Sequence, residues 1–291
     1  VGVVGAKTKD DDRIVKARYG TNHNDLLFFT SIGRVFALPM YEIPEAGRTA
    51  KGTPVVNLLQ LQPDEKVTEI LNLSRSEGQY IVMCTTGGTI KKSDLELFKN
   101  IRRSGLIACG VKDGETLHWA RMSSGEDHIF VVTHEGKSIR FPEDGVRAMG
   151  RAAAGVRAIR LKGKDQVIQM DILSPESPAK LLTVMENGLG KMSKVSEYRE
   201  QSRGGTGVKV ANITAKTGKV AGARAISEGM KGDLLNVTKN GQTLRTPLEG
   251  IKTAGRATQG VILMKNKKDT VSSISIIHDE EIEVDPMQGT T

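Results

Sequence analysis

The feature that most restricts how this sequence can fold is a repeat of about fifty residues. Five stretches share one pattern: "DLLFFTSIGRVFAL", "YIVMCTTGGTIKK", "HIFVVTHEGKSIRF", "KLLTVMENGLGKM" and "DLLNVTKNGQTLRT". In each, an apolar strand meets a tight turn with glycine at its second corner, at Gly33, Gly88, Gly136, Gly188 and Gly241. Glu135-Gly136, Asn187-Gly188 and Asn240-Gly241 suit a two-residue primed turn, in which the backbone needs positive φ. A second glycine follows each hairpin, at Gly52, Gly105, Gly155, Gly207 and Gly260, with offsets of 19, 17, 19, 19 and 19 residues. These second glycines are spaced 53, 50, 52 and 53 residues apart. Counting back fifty more from Gly52 reaches Gly2, so the chain is expected to open in the second half of a sixth unit.

After each second glycine comes a strand, a polar turn and another strand, as in "GVRAIRLKGKDQVIQMDIL". Each unit therefore reads as four short antiparallel strands. Such a unit cannot bury both faces of its sheet alone, and repetition lets neighbours cover them. The expectation is an all-β, six-bladed, propeller-like disc, with the first blade incomplete and helix almost absent. The Gly-His…Trp-Asp and kelch double-glycine signatures do not recur.

Charge narrows the partner. The sequence carries +8, but its last fourteen residues, "HDEEIEVDPMQGTT", hold five acids and no lysine or arginine. Residues 1–277, the expected folded domain, therefore carry +13, and residues 278–291 read as an acidic tail. A body so basic favours a polyanion. Aromatic residues make up only 4%, too few for a protein that grips single strands by stacking bases, so a duplex fits better.

The cations recur with the glycines. Arginine stands four residues before the second glycine at Arg48, Arg151, Arg203 and Arg256; the remaining unit has Ile101 there, beside Arg102 and Arg103. Lys51, Arg157 and Lys209 flank the same glycines. The second strands of the hairpins add Arg34, Lys91, Lys92, Lys137, Arg140, Lys191, Lys194 and Arg245. A disc that repeats a cation at equivalent places has a positive rim, and duplex phosphates offer a matching array, one charge per ~1.7 Å of axis. On this reading the glycines let backbone N–H groups approach phosphate, and arginine binds it bidentately.

Here the sequence resembles a known family along essentially its full length: the C-terminal domain of the DNA gyrase A protein. The family carries a seven-residue box, Q-R-R-G-G-K-G, usually in its first blade. Gln201, Arg203, Gly204, Gly205 and Gly207 match it, while Ser202 and Thr206 replace two basic residues. The stretches "VRAMGRAAAGVRAIRL" and "GRATQGVIL" are similar to the family's other repeats. The resemblance implies a six-bladed β-pinwheel that bends and wraps double-stranded DNA around its perimeter with little base readout. It implies a holoenzyme of two gyrase A and two gyrase B proteins in the cytoplasm, associated with the nucleoid. The strand-cleaving tyrosine and the ATPase are expected outside this chain, which by itself is expected to have no enzyme activity, metal or cofactor. The acidic stretch 279–285 is expected either to compete with DNA for the rim or to be a solvated end.

Other features carry less. "ENGLGKMS" lacks the glycine and the Ser/Thr of a P-loop, which fall on Met185 and Met192. Arg18-Tyr19 lies between units, and Tyr19 reads as a link residue. Cys84 and Cys109 lie 25 residues apart with no CxxC, which suits buried thiols in a reducing compartment. No apolar run reaches the ~18 residues of a membrane span, and the first residues do not form a signal peptide. Two rival readings stand: the DNA-bending domain of topoisomerase IV, kept open by Ser202 and Thr206, and a protein-interaction propeller.

Overall fold

The computed structural model describes residues 24–46, 52–73, 78–176, 179–265 and 269–278. Strands and single 3-10 turns make up all its regular structure. The first unit contributes β1 (Asp25–Thr30), β2 (Arg34–Pro39) and β3 (Val67–Asn72). The second contributes β4 (Tyr80–Thr85), β5 (Thr89–Asp94), β6 (Leu106–Ile107) and β7 (Leu117–Ser123). The third contributes β8 (His128–Thr133), β9 (Lys137–Pro142), β10 (Val156–Arg157) and β11 (Val167–Leu173). The fourth gives β12 (Ala179–Met185), β13 (Leu189–Lys194), β14 (Val208–Lys209) and β15 (Val220–Ser227). The fifth gives β16 (Gly232–Thr238), β17 (Thr243–Pro247), β18 (Val261–Ile262) and β19 (Val271–His278).

All five hairpins form, but not with primed two-residue turns. Each loop is a three-residue turn closed by its glycine at φ between +77° and +83°, and Glu135, Asn187 and Asn240 are not among the positive-φ residues. A type I′ turn needs positive φ at both central positions; a type I turn followed by a left-handed glycine needs it only once. A threonine at the end of the first strand supports the turn in four hairpins. The hydroxyls of Thr30, Thr85, Thr133 and Thr238 accept from the backbone N–H of Arg34, Thr89, Lys137 and Gln242 at 3.0–3.2 Å.

A blade is also not one sequence unit. The five sheets among the described residues run β3-β1-β2-β6, β7-β4-β5-β10, β11-β8-β9-β14, β15-β12-β13-β18 and β19-β16-β17. Each two-residue strand after a second glycine joins the hairpin of the preceding unit, while the longer strand after the polar turn returns to its own. The blades are thus stitched by strand exchange, a continuity absent from the expectation of one self-contained blade per unit.

Glycine makes the exchange possible. At Gly207 (φ +69°) a Cβ would lie 2.3 Å from the carbonyl oxygen of Ser138 on the preceding hairpin; Gly155 and Gly260 stand equally close to Ile90 and Gly190. These second glycines are therefore required by the crossing of backbone on backbone, a reason independent of phosphate approach. Gly52 has open space around it among the described residues, which do not include a hairpin of the preceding unit for it to cross.

The hairpin strands of the second, third and fourth blades are buried on both faces because each of these blades lies between two others. Ile81 and Met83 pack with Leu27 and Phe29 of the first blade, while Val82 and Cys84 pack with Ile129 and Val131 of the third. Alternation with a period of two divides each strand between its two neighbours. Strands β3, β7, β11, β15 and β19 pack side by side in succession, so they form the inner wall. The short strands β6, β10, β14 and β18 are outermost. Along the inner wall charges alternate from blade to blade: Glu69 binds Arg121, Arg121 Nε lies 4.0 Å from Asp171, and Asp171 accepts from Arg224 at 3.3 Å. Glu69 is fully buried, so removing Arg121 strands its carboxylate in a poorly hydrated place.

Candidate nucleic-acid interface

The rim is built from the outermost short strands and the loops that lead into them. Each loop is fastened to the second strand of the preceding hairpin. Met149 N–H donates to Lys92 O at 2.8 Å, Gln201 N–H to Arg140 O at 2.9 Å, and Ala254 N–H to Met192 O at 2.8 Å.

Many of the expected DNA-contacting cations are engaged within the protein. Lys91 and Lys191 are completely buried. The Lys91 ammonium donates to the carbonyls of Ala108 (2.6 Å) and Arg151; that of Lys191 donates to Gly255 (2.7 Å) and Arg256. Burial pulls both lysines down to about 8, and the neighbouring Arg151 and Arg256 act in the same direction. They are internal latches that hold the arginine loops and cannot reach a duplex. Lys92 is buried as well, donating to Glu143 O at 3.0 Å beside the Tyr80 ring. These three expected contacts are corrected, because a strand packed on both faces has no side chain pointing to solvent.

Others are partly occupied. Arg34 pairs with Glu65 at 2.8 Å and donates to Ser104 O; Arg140 donates to Tyr198 O at 3.0 Å; Arg245 pairs with Asp233. Arg103 meets Glu42 at 3.3 Å. Arg151 donates to Leu97 O at 3.1 Å, Arg203 to Gly145 O at 2.8 Å, and Arg256 to Lys209 O. Each of these last three arginines keeps further N–H groups beyond that bond. Arg48 and Lys51 lie outside the described residues, as does Arg18-Tyr19.

Against these stand the exposed cations Arg102, Arg157, Lys194 and Lys209, with Lys137 half-exposed. The second residue of each outermost strand points to solvent: Ile107, Arg157, Lys209 and Ile262. Positive charge is thus concentrated on the two central outermost strands, β10 and β14. Between them lies the loop 201–207, with Arg203 exposed, Gly204 at φ +79° and Gly207 at φ +69°. Arg160, exposed beside this loop, was missed by the sequence reading; it lies five residues after a second glycine, where among the other units only the fifth has a cation, Lys265.

The sequence matches the family described as "DNA gyrase C-terminal domain, beta-propeller" over residues 1–19, 24–74, 79–124, 127–174, 180–227 and 232–278. This chain belongs to that family. Among curated relatives, the DNA gyrase A protein of Staphylococcus epidermidis is 37% identical over 96% of this chain, and that of Escherichia coli K12 is 38% identical over 92%. The chain spans about a third of their length: 32% and 30%. Among solved structures, a C-terminal domain of DNA topoisomerase IV aligns with a TM-score of 0.81 at 22% identity, covering 94% of this chain and 84% of that one. A DNA gyrase A C-terminal domain aligns with a TM-score of 0.73 at 24% identity, covering 89% and 84%. At such identities the two alignments speak to the fold, which they share with this gyrase-family domain.

Proposed function

We propose that this gyrase-family domain binds duplex DNA around its rim and bends it into a wrap that serves negative supercoiling by a larger topoisomerase. The observation that carries the reading is the pair of exposed cations, Arg157 and Lys209, on adjacent outermost strands on either side of the loop 201–207. Backbone phosphates running along the perimeter would meet them in turn, and binding by charge and DNA deformability needs no base contacts. On this reading a sixth blade, from the segment around Gly2, completes the disc, as the six matched segments of the family support. The chain contributes no chemistry of its own. It acts as part of a gyrase A protein that assembles with gyrase B, as two copies of each, on cytoplasmic DNA of the nucleoid.

Titration of a duplex of mixed sequence at several salt concentrations tests this. Neutralising ~8 phosphates gives a slope of log K against log[salt] of about −7. A slope near −1 or −2 would exclude the rim as a DNA surface. Relaxed circular DNA closed by a topoisomerase in the presence of the chain should then show a shift in linking number that a merely bent complex does not produce. That outcome separates this reading from simple bending of the topoisomerase IV kind.

A further inference from the structure

We infer that the loop 201–207 and the segment 157–160 of the preceding unit form one composite site for a backbone phosphate, in which Arg157 and Arg160 supply the charge that Ser202 and Thr206 lack. The inference rests on the DNA-binding reading above and assigns it a specific place.

A recurring backbone bond sets the geometry. The residue five positions after a second glycine donates its N–H to the residue two positions before the next one. Gly110 donates to Ala153 at 3.2 Å, Arg160 to Gly205 at 2.8 Å and Asn212 to Thr258 at 3.2 Å. Each rim loop therefore has one such neighbour from the preceding unit. Of these three neighbours, only Arg160 is charged, and it stands against the loop that resembles the box. The box-like loop is fixed a second time on that side, by Gly204 N–H donating to Ala158 O at 2.6 Å.

That second bond changes the loop's own amides. In the equivalent loops the N–H two positions before the second glycine closes a turn: Ala153 to Gly150 O and Thr258 to Gly255 O, both at 3.1 Å. In the loop 201–207 the corresponding Gly205 N–H closes no such turn, because Gly204 is drawn toward Ala158. Among the described residues the N–H groups of Gly205 and Thr206 have no acceptor, and the side chains of Arg157 and Arg160 are exposed with no ion pair. On the opposite flank, Arg203 is tied to Gly145 O, in a hollow it shares with Asp144 and Glu200. Those two carboxylates repel an anion, so the phosphate is favoured toward Arg157 and Arg160. Backbone N–H groups and guanidinium groups converging on one anion make charge-assisted bonds.

The test is the affinity of the whole chain for a duplex of about 40 base pairs across a salt series. Arg160→Ala and Arg157→Ala should each weaken binding about tenfold and lower the salt slope by about one. Lys231→Ala, which removes another exposed cation, at the turn between β15 and β16, should change affinity less than about twofold. Adding Thr206→Lys to Arg160→Ala should restore most of the loss, since only charge beside the loop is required. Unchanged urea midpoints will show that these surface variants stay folded. If the wild type binds with a steep slope and Arg157→Ala weakens binding while Arg160→Ala behaves like Lys231→Ala, the composite site is wrong and the wrapping reading survives. If both arginine variants behave like Lys231→Ala, the composite site falls and the duplex runs over other rim cations. If the wild type itself shows a shallow slope, both fall together.

Discussion

Lys191 donates its buried ammonium to the backbone carbonyl of Arg256, sixty-five residues away and in the next unit. Lys91 does the same for Arg151. Each latch joins the strand of one blade to the rim loop of the next, so a charge invisible from outside sets the place of a charge at the surface. The repeat uses it twice; of the three other equivalent positions, Phe36 and Ile139 are buried apolar side chains and Leu244 is exposed.

The latches predict an unusual pH dependence. Burial holds both lysines near 8 in the folded chain, whereas they return to the ordinary lysine range on unfolding. Between about pH 8 and 10.5 the unfolded state then holds more protons, so stability rises with pH through that window, by about 3 kcal/mol per lysine at most. The Cys109 thiol beside Lys91 and Glu197 near Lys191 oppose the lowering, and Cys109, itself raised by burial, adds a slope of opposite sign. The comparison with variants isolates the lysines. Urea unfolding of Lys91→Met and Lys191→Met from about pH 7 to 10 should show a smaller rise than wild type. Near pH 7 the midpoints should differ little, because removing a buried charge offsets the loss of its two carbonyl contacts.

Gly207 gives the clearest stability prediction. Gly207→Ala places a methyl group against the Ser138 carbonyl in a conformation that L-residues avoid, and relief would require β14 to separate from β9. The expected cost is about 3 kcal/mol, the sum of the left-handed backbone and the overlap. Gly150→Ala, in open space and without positive φ, should stay within about 0.5 kcal/mol of wild type. Chemical denaturation of the two variants side by side decides it.

These contrasts show which parts of the molecule the sequence discloses. The hairpins were legible because a run of apolar residues before a glycine turn leaves few alternatives to a strand. Blade membership was not: β6, β10, β14 and β18 are two residues long, too short for any period to say which neighbour they join. The latches were hidden for a related reason. In "TIKKSD" both faces of the strand are buried, so the usual inference from lysine to solvent fails at Lys91 and Lys92. A signal did exist in the threonine three residues before the turn glycine, present in four of five hairpins, whose hydroxyl the following backbone N–H uses. The rim loop was recognisable by its glycines and Arg203. Its neighbour Arg160 lies more than forty residues earlier, and only the strand exchange brings the two together.

The inner wall offers a test of blade order. Asp171 joins Arg121 and Arg224 and also accepts from the backbone N–H of Ala225 at 2.8 Å. Asp171→Ala leaves two guanidinium groups without their shared carboxylate. Because Arg121 and Arg224 remain partly hydrated, the loss should be about 2–3 kcal/mol rather than the full cost of a dry pair. Thermal unfolding should show it, and rim binding to DNA at low temperature should be unaffected if the inner wall only holds the blades together.

The last prediction concerns the ends of the basic stripe. Positive charge sits on β10 and β14, while the flanking strands β6 and β18 present Ile107 and Ile262, each 58% exposed, at the same position. If DNA follows the perimeter, these two isoleucines mark where its phosphates lose their partners. Ile107→Lys and Ile262→Lys extend the stripe from two outermost strands to four without touching the core. Each new lysine should add one neutralised phosphate, so the double variant should steepen the salt slope by about two units and tighten binding most at low salt. A longer contact also holds a longer arc of duplex, so the double variant should increase the linking-number shift in a relaxed circle. If affinity rises but the shift does not, the duplex leaves the disc before reaching β6 and β18, and the added charges act only by general attraction. If neither changes while Arg157→Ala still weakens binding, the duplex crosses the rim at β10 and β14 alone. The path would then be a short bend, and the wrap would have to come from elsewhere in the holoenzyme.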